Sequence, residues 1–247
     1  MCRMIAVIGN DKIQRAALRA FHRLGLCGKG LSGLSPGHLD GWGIAAYAEE
    51  GPAYAVRSAG SVEVEKGSYR EAIESVIEWG SPIVVAHFRK ASRGAAQKEN
   101  VHPFIDPPWI FCHNGTIGDL APLGPGAPSV GDTDSEELFM RWRRAERADG
   151  GRVSGVSHFV DWLRTVEQRC SYTSLTSLLA DGKQFVAVRR VGRPFDATYN
   201  AKDFADYYTL YHWRQGAEHI ICSEPMPDIQ GDWSPIADGE QVLLHIR

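Results

Sequence analysis

The sequence has no excess of basic residues: 27 Lys and Arg stand against 30 Asp and Glu, a formal net charge of −3. A chain whose main partner is a nucleic acid needs a positive surface to neutralise phosphates, so that class is set aside. No apolar run approaches the ~20 residues of a membrane span. The opening MCRMIAVIGN is one short apolar stretch followed by Asp11 and Lys12. It lacks the longer apolar region and small-residue cleavage site of a secretory signal, so a cytoplasmic location is expected. Cysteine is scarce and unpaired in pattern: Cys2, Cys27, Cys112, Cys170 and Cys222 are an odd set with no C-x-x-C. That argues against a disulfide scaffold and a zinc site, and neither a metal nor a cofactor is expected. Four of the five read as small buried hydrophobes, whereas Cys2 stands beside the chain terminus. No repeat, low-complexity tract or linker-like composition shift divides the 247 residues, so one domain over 1–247 is expected.

What is present is a mixture of strand and helix signals. Met4–Ile8 is an apolar run closed by Gly9-Asn10, which predicts a strand. Ile13, Ala17, Ala20 and Leu24 recur at helical spacing, with Gly25 as the stop, and a glycine-rich loop follows to Gly43. Two strands around the Gly51-Pro52 turn come next, then a capping box at Ser68–Glu71 with its helix ending at Gly80. Ile83–Phe88 and Trp109–Cys112 read as buried strands, with a proline and glycine loop at Pro122–Ser129. A second capping box, Thr133–Glu136, opens a helix through Leu138, Phe139 and Trp142, and His158–Gln168 is helical in pattern. Asp181-Gly182 signals a hairpin, and Ile220–Cys222 and Gln241–Ile246 close the chain as strands. Hairpin-like groups with helices between some of them predict an α+β fold with mainly antiparallel sheets.

Three motifs carry bland readings. Gly28, Gly30 and Gly33 spell G-x-G-x-x-G, but a helix precedes it where dinucleotide binding requires a strand. Asn114-Gly115-Thr116 is a glycosylation sequon without a secretory route. Arg141, Arg143, Arg144 and Arg147 interleave with Glu136, Glu137 and Glu146, which predicts a solvated helix face.

The chemistry concentrates elsewhere. If Met1 is removed, Cys2 carries a thiol and a free α-amine, with ordinary pKa values of about 8.5 and about 7.7–8.0. The amine is then a general base for its own thiol, and no separate histidine is needed. Arg89 stands at the exit of the Ile83–Phe88 strand, where a guanidinium can grip a carboxylate by two bonds or simply form the polar end of the strand. Asn114-Gly115 is either a hairpin turn or a pair of oxyanion donors, the side-chain amide of one and the backbone N–H of the other. Asp134 either complements a helix dipole or receives an ammonium group.

Cys2, DGWGI at 40–44, HFRKASRG at 87–94, ENVHPF at 99–104, FCHNG at 111–115 and GDTDSE at 131–136 occur in an order that resembles the class II glutamine amidotransferases. These are enzymes of the N-terminal-nucleophile type. Ile221–Pro225 and the later Trp233 resemble the C-terminal signature of the small, single-domain γ-glutamyl hydrolase-like branch. The resemblance implies a four-layer αββα sandwich of two mainly antiparallel sheets flanked by helices. It also implies roles: Cys2 as nucleophile, Asn114 and Gly115 as oxyanion hole, Arg89 for the α-carboxylate and Asp134 for the α-ammonium of a glutamyl group. Larger members carry an aromatic and a His where this chain has Lys90 and Arg93. About a hundred residues follow Arg147, and they carry no nucleotide, sugar-phosphate or iron–sulfur motif. The expectation is therefore hydrolysis of a γ-glutamyl amide, of glutamine or a conjugate, with a small-molecule substrate. The alternatives are a subunit that delivers ammonia to, or regulates, a synthase partner, and an N-terminal-Cys amidase of other amides. The sequence leaves the leaving group and the oligomeric state open.

Overall fold

The computed structural model describes residues 2–31, 33–48, 53–126, 128–148, 155–196 and 199–246. Two antiparallel sheets lie face to face. The first orders seven strands as β11-β9-β10-β1-β4-β2-β3. These are β1 (Arg3–Ile8), β2 (Trp42–Tyr47), β3 (Ala53–Ser58), β4 (Ile83–Phe88), β9 (Tyr211–Gln215), β10 (Glu218–Cys222) and β11 (Trp233–Pro235). The second orders β12-β8-β7-β6-β5, with β5 (Phe104–Asp106), β6 (Trp109–Asn114), β7 (Thr176–Ala180), β8 (Gln184–Val188) and β12 (Gln241–His245).

The strands at the centre of each sheet are buried on both faces, and period-2 alternation distributes their side chains between two cores. Met4, Ala6, Val85, Ile110, Cys112, Leu178 and Ala187 fill the layer between the sheets. Ile5, Val7, Ile44 and Val84 face the other way, onto α1 (Asp11–Cys27) and α2 (Lys66–Glu78). Phe111, Leu179 and Val186 face α3 (Asp134–Ala148) and α4 (Val156–Arg169). The layers are therefore αββα, as expected. A fifth helix, α5 (Ala201–Tyr207), packs Phe204, Tyr207 and Tyr208 against Leu31.

Local departures from the sequence reading have physical causes. Gly25 does not stop α1, which runs to Cys27 and is capped at Gly28. A Cβ at Gly25 would meet Val62 at 2.9 Å and Phe88 at 3.1 Å, so this glycine lets the helix approach the sheet. Ser68 lies inside α2, and the capping position falls on Glu65, without a side-chain cap bond. Thr133 does cap α3, its hydroxyl accepting from the Glu136 N–H, while the Glu136 carboxylate accepts from Val130 and Gly131. The arginine face of α3 is solvated only in part: Arg144 and Arg147 are exposed, whereas Arg141 is buried and Arg143, 5% exposed, bonds Asp106 at 2.6 Å and pairs with Glu146. Burial of the guanidinium lowers its pKa, and Asp106 opposes the shift. Cys112 and Cys222 are buried as expected, but Cys27 is exposed and Cys170 half-buried. The Gly51-Pro52 turn lies outside the described residues. Strands β5, β9 and β11 and helix α5 had no expectation; β9 is a polar strand, YHWRQ, that turns into β10 at Gly216, φ 61°.

Gly43 of β2 connects this frame to the active end. A Cβ there would stand 2.3 Å from the His102 carbonyl oxygen, which is backbone. We expect Gly43→Ala to lower stability by about 1–3 kcal/mol, the usual cost of overpacking. Urea denaturation measures it, and an unchanged midpoint would show that the 99–104 segment yields freely.

Candidate active site

The site is built where β1 and β4 of one sheet meet the end of β6 in the other. Cys2 immediately precedes β1, and its buried position is fixed from two sides. Its N–H donates to Asn114 Oδ1 at 2.9 Å, across 112 residues of sequence. Its carbonyl accepts from Arg3 Nη1 at 2.9 Å. Arg3 is 1% exposed and is itself held: Nε pairs with Glu224 at 2.5 Å, Nη2 donates to the Lys29 carbonyl at 2.6 Å, and the guanidinium lies 4.4 Å from the Tyr207 ring centre. Glu224 also accepts from the Lys29 N–H. The glycine-rich segment thus follows the C-terminus of α1 and braces the Arg3–Glu224 pair. A cavity of about 440 Å³ lined by Arg3, Tyr207 and Glu224 opens beside it.

Asn114 ends β6, so strand pairing with β7 fixes its backbone. With Oδ1 facing the Cys2 nitrogen, its Nδ2 has no partner among the described residues and is free to donate. Gly115 is there for close approach rather than for a hairpin. A Cβ on it would meet the Ser174 carbonyl oxygen at 1.9 Å, and β6 is followed by an isolated bridge from Ile117 to Tyr172.

Arg89 follows β4 and is 3% exposed. Its Nη atoms donate to the carbonyls of Arg93, Gly94 and Ala95, at 2.8, 3.2 and 3.3 Å. No described carboxylate pairs with it, which leaves a buried positive charge with only dipoles around it. The loop it holds is pinned over the site, with the Ser92 and Thr116 hydroxyls 3.1 Å apart and Arg93 donating to the Ile117 carbonyl at 2.9 Å. Asp134 opens α3, where its Oδ2 accepts from the Ile117 N–H at 2.6 Å. Asn100 and Asp132 tie the two segments together: Asp132 Oδ1 accepts from the Asn100 side chain at 2.5 Å and from the Ala95 N–H at 3.3 Å.

Sequence reasoning gave no role to three histidines in these same motifs. His113 bridges β6 to α3, Nδ1 lying 2.8 Å from Ser135 Oγ and Nε2 2.9 Å from the Ser174 carbonyl. It therefore sets Asn114 and Asp134 at a fixed separation. His87 and His102 pack at a tilt of 34° with ring centres 4.3 Å apart. The signal for His87 was available, because alternation along β4 puts it on the same face as Arg89.

Burial pushes the Cys2 thiol up, but the positive charge of the chain terminus, the His87 ring and the Lys90 backbone outweigh it, and the thiol comes down to about 6. Burial raises the other interlayer thiol, Cys112, well above the ordinary range. Cys2 is thus set apart chemically from the buried structural cysteine nearest to it in charge coupling.

A family model, glutamine amidotransferases class-II, matches residues 1–243. The chain belongs to this family. An uncharacterized protein, MJ1515, of Methanocaldococcus jannaschii is 29% identical over 204 residues, 76% of this chain and 51% of that protein. The glutamine–fructose-6-phosphate aminotransferase (isomerizing) of Pectobacterium atrosepticum is 27% identical over 80% of this chain and 32% of its own length. The chain thus spans about half or less of these two relatives. A crystal structure at 2.0 Å, titled as that of a predicted glutamine amidotransferase from Pseudomonas aeruginosa PA01, shares the fold with a TM-score of 0.51. It covers 99% of this chain and 96% of that one, at 19% identity.

Only the thiolate of Cys2 is nucleophilic, so its rate of alkylation at saturating reagent should rise with pH and level off above about 6. Peptide mapping by mass spectrometry isolates Cys2 from exposed Cys27. A midpoint at the ordinary thiol value of about 8.5 would mean that the terminus and His87 do not act on the sulfur.

Proposed function

We propose that the protein hydrolyses a γ-glutamyl amide bond, in glutamine or a γ-glutamyl conjugate, through a thioester on Cys2. The observation that carries this is the bond from the Cys2 nitrogen to Asn114 Oδ1. It puts the nucleophile, its own nitrogen and a free amide donor in one place. With Met1 removed, the α-amine takes the thiol proton, and the sulfur attacks the amide carbon. Asn114 Nδ2 and the Gly115 N–H hold the oxyanion, each such donor worth on the order of 3–4 kcal/mol in comparable sites. The amine then passes its proton to the leaving nitrogen. Water, deprotonated by the same amine, attacks the thioester and releases glutamate and the thiolate.

The glutamyl end is a zwitterion, and the site offers one charge of each sign. Arg89, buried without a carboxylate partner, suits the α-carboxylate. The second oxygen of Asp134, which takes no hydrogen bond among the described residues, suits the α-ammonium. An amidase of amides without this zwitterion gives neither residue a purpose. We read 1–247 as one domain acting in the cytoplasm; no described helix is long and apolar enough to cross a membrane.

The short coverage of the Pectobacterium aminotransferase supports a second reading, in which the chain delivers ammonia to a synthase partner. One assay separates the two: free glutamate released from glutamine and γ-glutamyl compounds by the isolated, Met1-processed protein. Turnover alone supports hydrolysis; turnover only on adding a partner supports the subunit. Met1 lies outside the described residues, but while it is attached the Cys2 nitrogen is an amide and no base. A variant that retains Met1 should be inactive although folded, with intact mass reporting its state.

Arg89→Lys should raise KM by about 10-fold or more with a smaller change in kcat, because an ammonium cannot reproduce the planar fork. Steady-state kinetics with glutamine reads this, and an unchanged KM would remove Arg89 from the carboxylate site.

A further inference from the structure

Among the buried titratable groups that the mechanism leaves unused, His87 is the one that reaches the nucleophile. The antiparallel ladder pairs Arg3 with Phe88 and Met4 with His87. Continuing that register one step sets Cys2 opposite Arg89 and His87 diagonal to Cys2, on the face between the sheets and within side-chain reach. His87 has no solvent exposure, and neither ring nitrogen has a hydrogen-bond partner among the described residues. Its ring packs at a tilt against His102, centres 4.3 Å apart, and His102 packs in turn on Phe104, also at 4.3 Å between centres. A buried imidazole held between rings, with unspent N–H capacity and on the face it shares with the Cys2 side chain, is costly unless a neighbour such as that sulfur uses it.

We infer that His87 presents a ring N–H to the Cys2 sulfur and holds it as the thiolate, while the α-amine remains the group that takes the proton. The proton of the thiol moves to the amine; His87 neither gains nor loses one. This rests on Cys2 as the nucleophile proposed above, and it makes His87 a positioning residue for the attacking atom. It also explains the segment around it. His102 is wholly buried and held well below its usual pKa by desolvation, with His87, His113, Arg89 and Arg57 adding to the effect, so it is a neutral support for the His87 ring. The cations that share the pocket come from other elements: Arg3 from β1, Arg89 and Lys90 from the loop after β4. His38, neutral through burial, and Tyr207 face it from the glycine-rich loop and α5. Asp134 acts across the site, on His113. Each variant changes only the ring at position 87, so a difference in the alkylation midpoint from the wild type is assigned to that ring.

The test follows Cys2 alkylation against pH, by peptide mapping, in the Met1-processed full chain and in His87→Leu and His87→Gln. Circular dichroism and thermal melting establish which variants are folded. The leucine variant should move the alkylation midpoint up by about one pH unit or more, and the glutamine variant, which keeps an N–H, should recover part of the shift. With glutamine as substrate, kcat should fall about 10-fold or more while KM changes little, because His87 does not touch the glutamyl group. A merely structural role would lower the melting temperature and leave the alkylation midpoint unmoved. If His87→Leu does not fold, the wild-type protein decides: with ¹⁵N-labelled histidine, the His87 ring resonances should shift in step with Cys2 ionisation and stop doing so once Cys2 is alkylated. A folded variant with an unchanged alkylation midpoint, or a His87 signal indifferent to Cys2, would overturn the inference. Both readouts report on the thiol itself, so they hold even if glutamine proves not to be the substrate.

Discussion

One hydrogen bond, from the Cys2 nitrogen to the Asn114 side chain, joins the two sheets at the point where chemistry is proposed. Cys2 belongs to the approach to β1 in one sheet and Asn114 to the end of β6 in the other, so the bond length is set by how the sheets pack. Met4, Ala6, Ile110 and Cys112 separate them, all without solvent exposure. Burying a Met4 or Ile110 side chain contributes about 1.5–3 kcal/mol, and the smaller Ala6 and Cys112 let the sheets approach closely, so the layer holds a polar contact at its rim. Arg3 closes the other side of Cys2 through its carbonyl. Cys2 is held by one side chain from distant sequence, Asn114, and by its neighbour Arg3, which Glu224 anchors in turn.

The two buried arginines of the site are treated differently, and the difference is informative. Arg3 has Glu224, two carbonyls and the Tyr207 ring, a fully occupied guanidinium with a structural task. Arg89 is as deeply buried but has only three backbone carbonyls. A cation left in that condition is expensive to bury, and the cost is recovered if a carboxylate arrives with the substrate. His113 makes the same kind of demand on geometry, since it fixes the spacing between Asn114 and the helix that carries Asp134.

Much of the frame was legible because its signals are local. Ile83–Phe88 was placed to the residue, and the Asp181-Gly182 hairpin forms as its dipeptide predicts, with Gly182 at φ 87° and Asp181 Oδ1 accepting from Lys183 and Gln184. What failed depends on partners far along the chain. Gly25 looks like a helix stop until Val62 and Phe88 are seen to need its missing Cβ. Arg143 of α3 looks as solvated as Arg144 and Arg147 until Asp106, from a strand thirty-odd residues earlier, is seen to hold it. Cys2 and Asn114, singled out for the site, do meet, because each sits at the end of a strand whose position was readable. Of the histidines behind them, His87 was readable from alternation along β4, whereas what His113 and His102 face depends on partners far along the chain.

The central claim is that Cys2 forms a covalent bond to a glutamyl group. Acid quench of the Met1-processed protein during turnover of glutamine or a γ-glutamyl conjugate, followed by intact and peptide mass spectrometry, tests it directly. The account predicts a population heavier by one glutamyl group, carried on the peptide that begins with Cys2 and lost on treatment with hydroxylamine. Turnover with the glutamyl mass on another residue, or sustained turnover by a Cys2→Ala variant, would contradict it.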